Sequence, residues 1–281
     1  MERKIKKLVM GSRAIDGAGV HLVRVLGHDT TQEYDPFLML DSFDSENPAD
    51  YVKGFPTHPH RGIETVTYLI EGQIDHEDSL GNQGSILSGQ SQWMTAASGI
   101  MHQEMPQPSP KMLGLQLWLN MPAAEKMAEP RYLTIIQEMI GIKETESAVI
   151  RVVAGEYDGA KGVQPHHIQA SFFDVDLQAG KTISMPTKTE ETVFVFLIKG
   201  DGVIDGQHIA EKTAVLFTEG DSITVKAPQN ENCRFIFCSA KPLGEPIAWG
   251  GPIVMNTRQE LQRAFEDLNN GTFIKSSAAG I

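Results

Sequence analysis

Two short segments carry the residue types that could bind a metal ion. The first contains His58 and His60, and the second, about forty residues later, contains His102 and Glu104. Because side chains alternate along an extended strand, residues two apart point to the same face, so each segment offers a pair of donors. Three neutral imidazoles and a carboxylate suit a divalent ion such as Fe(II), Mn(II), Ni(II), Cu(II) or Zn(II). The pattern predicts one such metal per chain.

The carboxylate of this site has two candidates. Glu64 follows His60 by four residues, whereas Glu104 follows His102 by two. Arg61-Gly62 interrupts the path to Glu64, and a glycine within a strand often marks a bulge that reverses the alternation. We therefore expect Glu104 to be the ligand and Glu64 to lie in the shell around the ligands. His76 lies beside a turn, and we expect it to be solvated or bonded to the turn.

Composition places the chain among ordinary globular proteins and excludes some partners. The 281 residues, 41% hydrophobic and 21% charged, suffice for two domains or for one large all-β unit. A net charge of −12 argues against binding to nucleic acid or to an anionic membrane, although not against a protein partner. The N-terminus lacks a signal-like apolar run, no window is apolar enough to span a membrane, and only two cysteines are present. We expect a cytoplasmic protein.

An internal repeat indicates how these segments are positioned. The stretch from Glu64 to Gly72 is echoed by the stretch from Glu191 to Gly200, and short strands with glycine-rich turns surround both. The chain is therefore predicted to be all-β, with two tandem jelly-roll domains at 1–140 and 147–281. A capping box at Thr257–Glu260 predicts a C-terminal helix that ends at Asn270-Gly271.

The repeat also predicts which half is active. In the approximate register of the two copies, Met185 and Thr187 stand where the first copy has His58 and His60. Cys233 and Phe235 stand opposite His102 and Glu104 in the same register. These residues suit a dry core or local bonds to backbone rather than a metal site. We expect the second domain to lack metal ligands and to be packed rather than hydrated.

The assembled motifs resemble one family signature. The strings Phe55–Tyr68, Gln92–Ala96, Gly99–Met105 and Gly251–Thr257 are similar to those of the pirin family, within the bicupin group of the cupin superfamily. The similarity runs from about residue 10 to the terminal helix. It implies that one metal, usually iron, is held by the matching residues His58, His60, His102 and Glu104, and that the C-terminal cupin binds none.

The resemblance implies two functions. Family members include quercetin 2,3-dioxygenases, so the leading expectation is an Fe(II)-dependent monomeric enzyme that cleaves flavonols with O2, with Glu104 as the general base. Other members are metal-dependent transcriptional co-regulators, so the alternative is a non-enzymatic iron or redox sensor that regulates a protein partner. An isomerase of small sugars or acids is a third possibility. An open, apolar cavity above the metal would favour the enzyme, and a closed site would favour the sensor.

Overall fold

Short antiparallel strands make up about half of the chain in this computed structural model, which describes residues 1–275. The strands before residue 136 are β1 (Ile5–Met10), β2 (Ser12–Asp16), β3 (Val20–Leu26), β4 (Phe37–Ser45), β5 (Phe55–His60), β6 (Ile63–Glu71), β7 (Gln73–Asp78), β8 (Gln83–Leu87), β9 (Ser91–Thr95), β10 (Ile100–Pro106), β11 (Met112–Asn120) and β12 (Arg131–Ile135). The later strands are β13 (Gly141–Glu144), β14 (Ala148–Ala154), β15 (Glu156–Tyr157), β16 (Ala160–Lys161), β17 (Ser171–Leu177), β18 (Thr182–Pro186), β19 (Thr192–Lys199), β20 (Gly202–Ile204), β21 (Gln207–Ile209), β22 (Thr213–Phe217), β23 (Ser222–Lys226), β24 (Cys233–Ala240), β25 (Ala248–Gly250) and β26 (Ile253–Met255). The helix α1 spans Arg258–Asn269, and short 3-10 turns lie at His28–Thr30, Pro48–Asp50 and Gln137–Met139.

The chain forms two compact units that are not contiguous in sequence. One unit, called here the histidine unit, comprises Arg13–His28, Phe37–Ile136 and the residues from Leu243 onward. The other, called the apolar unit, comprises Met1–Ser12, Asp29–Pro36 and Gln137–Pro242. The boundaries predicted at 1–140 and 147–281 differ from these units at both termini. The difference arises because β1 pairs with β22 and because Ile253 of β26 forms a bridge with Arg61.

The two units repeat one strand order. In the histidine unit a seven-stranded sheet, β12-β9-β6-β11-β4-β3-β2, accompanies a four-stranded sheet, β5-β10-β7-β8. In the apolar unit the corresponding orders are β1-β22-β19-β24-β17-β14-β13 and β18-β23-β20-β21. Two antiparallel sheets with this connectivity form a jelly roll. The predicted all-β fold of two tandem cupins with a C-terminal helix is therefore confirmed.

The strand orders correct the register inferred from the repeat. β23 occupies the place of β10, and β24 occupies the place of β11. The inward-facing counterparts of His102 and Glu104 are therefore on β23, where Ile223 and Val225 are buried in the core, rather than Cys233 and Phe235 on β24. The error arose because similar glycine turns recur along the chain, and a turn in itself does not identify the strand that follows it.

The interior of the apolar unit is filled by hydrophobic side chains. Met185, Cys233 and Phe235 all belong to its buried cluster, together with Ile223 and Val225. Thr187 differs from the expectation because it lies just beyond the end of β18, is half-buried, and accepts a 2.8 Å hydrogen bond from Arg3 Nε.

The C-terminal helix begins with the predicted capping box. Thr257 Oγ1 accepts a hydrogen bond from Glu260 N at 3.2 Å, and Glu260 Oε2 accepts one from Thr257 N at 2.8 Å, which completes the capping box. Ala264 of the helix is buried with Ile253 and Met255. Among residues 1–275, no helix has the length and apolar character needed to cross a bilayer.

Candidate metal centre

Three imidazoles converge on the inner face of the four-stranded sheet of the histidine unit. His58 on β5 lies directly opposite His102 on β10, and His60 follows two residues later on the same face. One ring nitrogen from each of the three lies within 4.8 Å of the others. His58 Nε2 and His60 Nε2 are 3.0 Å apart, and the ring centroids of His58 and His102 are 4.4 Å apart.

The outer ring nitrogen of each histidine is held by a fixed partner. His58 Nδ1 lies 2.9 Å from the carbonyl oxygen of Pro56, and His60 Nδ1 lies 3.1 Å from that of Pro252. A carbonyl oxygen only accepts, so both Nδ1 atoms carry the proton and both Nε2 atoms present a lone pair. His102 Nδ1 lies 3.0 Å from the hydroxyl of Tyr132. Such contacts orient metal-binding histidines and determine their tautomer.

Burial keeps these rings in the form that binds metal. Burial, together with the electrostatic effect of nearby His58, lowers the pKa of His60 to about 3. Burial and the neighbouring imidazoles also hold the pKa of His102 well below its usual range. Among the described residues, the buried His102 Nε2 has no hydrogen-bond partner. Because a buried nitrogen without a partner is costly, a metal ion at this point fits the three histidines.

Glu104 lies on the same face of β10 as His102, but its carboxylate is bonded to protein groups. Thr67 Oγ1 donates to Oε1 at 2.9 Å, and Gln116 Nε2 donates to Oε2 at 2.7 Å. Gln116 Oε1 in turn accepts from Trp118 Nε1 at 3.1 Å. Because an indole N–H only donates, this contact determines which way the Gln116 amide points. The Glu104 carboxylate does not belong to the group of ligand atoms that lie within 4.8 Å of one another. Of the four predicted ligands, the structure therefore brings the three histidines together.

Two other expectations about polar residues are wrong. Glu64 points to the opposite face of β6 from Thr67, where it accepts hydrogen bonds from Trp93 at 3.1 Å and Thr95 at 2.7 Å. It therefore does not lie in the shell around the ligands. His76 is buried rather than solvated, since β7 turns it inward opposite Glu104, and its ring stacks on Tyr132 with centroids 5.3 Å apart.

Two buried basic side chains tie the C-terminal segment to the turn that follows His60. Arg61 donates to the carbonyl oxygens of Ser98 and Phe273, each at 2.7 Å. Lys126 Nζ donates to the carbonyl oxygens of Gly62 at 2.7 Å and Val254 at 2.9 Å. Gly62 has φ +78°, and a Cβ there would lie 1.9 Å from Val254 O. These contacts hold the segment that carries Pro252, the partner of His60.

A cavity of about 550 Å³ opens onto His58 and His60. Its apolar wall comprises Met39, Phe43, Phe55, Trp118 and Trp249. The His28 ring stacks on Trp249, with centroids 3.9 Å apart. A volume of this size and a largely aromatic wall are typical of sites that bind small molecules.

The cavity is also lined by a charged group, called here the charged pole, formed by Asp16, Arg24 and Asp41. Arg24 donates to both oxygens of Asp41, at 2.9 and 2.7 Å, and to Asp16 Oδ2 at 2.6 Å. The bonds with Asp41 raise the pKa of Arg24. Although burial acts to raise the pKa of Asp16, the bond from Arg24 lowers it below the ordinary value.

Sequence reasoning missed several residues that shape this site. Gln116 was detectable, because it is the polar residue in the apolar run of β11 and alternates with Trp118 toward the cavity. Tyr132 and Trp249 carried no local signal, since they lie far along the chain from the histidines. The charged pole was equally hidden, because its three members come from β2, β3 and β4.

Family models match both halves of the chain. The model described as Pirin matches residues 19–119, and the model described as Pirin C-terminal cupin domain matches residues 172–274. The chain belongs to the pirin family. A pirin-like protein of Caulobacter vibrioides is 39% identical over 275 residues, covering 96% of this chain and 99% of that protein.

Solved structures share the fold. The crystal structure of quercetin 2,3-dioxygenase from Acinetobacter baumannii has a TM-score of 0.89 and 30% identity, covering 99% of this pirin and all of that chain. The bacterial pirin YhhW of Escherichia coli, in complex with nickel(II), has a TM-score of 0.63 and 22% identity, covering 84% of this chain and 98% of the other. At that identity the second similarity supports the fold alone.

Proposed function

We propose that this pirin is a metal-dependent dioxygenase that cleaves flavonols such as quercetin with O2 at a single Fe(II) ion, held by His58, His60, His102 and Glu104. Mn, Ni, Cu and Zn are the alternative metals, because the same donor set accommodates them. Glu104 follows His102 by two residues on the same face of β10, which supports its assignment as the fourth ligand. A cytoplasmic location and a monomeric state accompany this proposal.

The observation that carries the proposal is the cavity. It reaches His58 and His60 directly, and its wall is mostly aromatic and aliphatic. Trp118, Trp249 and Phe55 offer flat surfaces on which a planar ring can pack. A sensor that signals through an outer surface has no need of such an opening, so the cavity favours the enzyme.

The residues around the cavity suggest how a flavonol would be processed. The metal would supply Lewis acidity, which lowers the pKa of a bound hydroxyl group. Glu104 would accept the proton of the 3-hydroxyl group, while Thr67 and Gln116 keep its carboxylate oriented. The aromatic wall would exclude water around the ring. Each flavonol would consume one O2 and release one carbon monoxide as its heterocycle opens.

The test is oxygen uptake by protein purified anaerobically and loaded with Fe(II). With quercetin, we expect O2 consumption and carbon monoxide release in equal amounts. His208→Ala is the matched control, since His208 is an exposed residue of the apolar unit, where it pairs with Asp201. That variant should retain full turnover.

Stoichiometric Fe(II) without oxygen uptake on any flavonol would refute the dioxygenase proposal. The iron or redox sensor that regulates a protein partner would then be the better account.

A further inference from the structure

The charged pole has no role in the chemistry described above, although it lines the same cavity as the histidines. Asp41 is only 3% exposed, yet it lies on the inner face of the sheet among hydrophobic residues. Removing the Asp41 carboxylate from water is costly even when a guanidinium pairs with it. Stability alone is therefore a weak reason for the cluster.

The register of the sheet relates the pole to the catalytic groups. Arg24 on β3 lies opposite Asp41 on β4, which lies opposite Gln116 on β11. Neighbouring strands are about 4.8 Å apart, so Arg24 stands about 10 Å across the sheet from Gln116. Since Gln116 holds Glu104, a planar molecule with one end at the histidines could reach the pole with its other end.

The chemistry of the pole restricts what that other end can be. Two carboxylates and one guanidinium leave one net negative charge, which disfavours an anionic substituent. The carboxylate oxygens retain lone pairs that can accept hydrogen bonds from hydroxyl groups. Arg24 Nη1 takes part in none of the three bonds within the pole, so it can also donate to an oxygen.

We propose that Asp16, Arg24 and Asp41 determine specificity by binding uncharged hydroxyl groups on the substrate ring remote from the metal-binding oxygens. This inference rests on the proposed function, and it narrows the substrate class to polyhydroxylated flavonols. A flavonol without ring hydroxyl groups would leave the pole without partners, and a flavonol sulfated on that ring would be repelled by it.

The test measures binding separately from turnover. Fe(II)-loaded protein is titrated anaerobically with quercetin, with 3-hydroxyflavone and with a sulfated quercetin, and quenching of tryptophan fluorescence reports binding. Because a hydrogen bond to a charged group contributes about a tenfold difference in affinity, quercetin should bind at least about tenfold more tightly than 3-hydroxyflavone. The sulfated ligand should bind more weakly than quercetin.

Variants of the pole make the inference specific. Asp16→Asn removes an exposed carboxylate of the pole, and we expect it to reduce the preference for quercetin at least about threefold while leaving 3-hydroxyflavone binding unchanged. Asp41→Asn should reduce the preference further. Asp44→Asn is the matched control, because Asp44 lies on the same strand but outside this cavity, near Lys111. It should leave the preference intact.

The outcomes separate this inference from the proposed function. Turnover of quercetin and 3-hydroxyflavone with equal affinity would overturn the role of the pole while leaving the dioxygenase intact. Tighter anaerobic binding of quercetin than of 3-hydroxyflavone, without any oxygen uptake, would support the role of the pole in specificity and refute the dioxygenase proposal. Tighter binding of the sulfated ligand would also overturn the inference, since Arg24 rather than the carboxylates would then dominate.

Discussion

The two units of this pirin have the same strand order but opposite interiors. In the histidine unit the inner positions of β10 carry His102 and Glu104, whereas those of β23 carry Ile223 and Val225. The sheet connectivity is the same whether these positions carry polar or apolar side chains. The jelly roll is therefore specified by strand patterning and turns, and the polar interior of one unit is an addition that serves function.

The polar interior is also energetically more demanding. Each imidazole of the histidine unit needs a partner for its outer nitrogen, and these partners come from Pro56, Pro252 and Tyr132. The apolar unit requires only complementary hydrophobic shapes. The comparison implies that substitutions at matched positions should have different consequences in the two units.

The largest difference should appear when the matched inner positions of β10 and β23 are both truncated. His102→Ala removes one of three convergent ligands, so we expect bound metal and oxygen uptake to be lost together. Ile223→Ala removes buried methyl groups and should cost about 2–5 kcal/mol of stability with no change in metal per folded chain. Elemental analysis measures the bound metal, and urea unfolding measures the stability. Metal retained by His102→Ala would contradict the predicted difference between the two units.

Glu104→Gln should separate metal binding from catalysis. An amide can still occupy the position between Thr67 and Gln116 but cannot accept a proton, so turnover should fall about 10²–10⁴-fold with metal retained. Glu64→Gln is the control, because Glu64 is a buried carboxylate on the other face of β6. Steady-state oxygen uptake is the measurement. If Glu104→Gln loses its metal as well, Glu104 acts mainly as a ligand.

Tyr132→Phe should have a smaller effect on the same unit. The substitution removes the hydroxyl group that holds His102 Nδ1, and loss of such a contact typically weakens metal binding about 10–100-fold. Competition with a chelator measures the affinity. Tyr157→Phe is the matched control in the apolar unit, where the Tyr157 ring packs against Phe173. Equal affinities in both variants would show that the Tyr132 hydroxyl does not orient the ligand.

Much of this comparison could be predicted from the sequence. Alternation alone put His58 with His60 and His102 with Glu104 on shared faces, because strand geometry is local. The internal repeat predicted the fold, because short strands and their turns are also local features of the sequence. The exact register between copies failed, since glycine turns recur along the chain and do not identify the strand that follows. Tyr132 and Trp249 could not be found, because their approach to the site depends on tertiary packing.

The smallest expected effect comes from a polar residue in the apolar unit. Val225→His would bury an imidazole without a partner, which costs about 1–3 kcal/mol, and the melting temperature should fall. A single new histidine cannot build a site, so metal content should not rise. Thr224→His, one residue along the same strand and outside the core, should be tolerated. A gain of metal in Val225→His would mean that the apolar interior already offers ligands.

Only the histidine unit should hold a metal, and metal stoichiometry tests this asymmetry most directly. Unmutated protein purified anaerobically and reconstituted with excess Fe(II) is desalted, and iron per chain is measured by mass spectrometry. The asymmetry between the units predicts close to one iron per chain, falling to near zero in His102→Ala. A value close to two, or one that persists in His102→Ala, would contradict it.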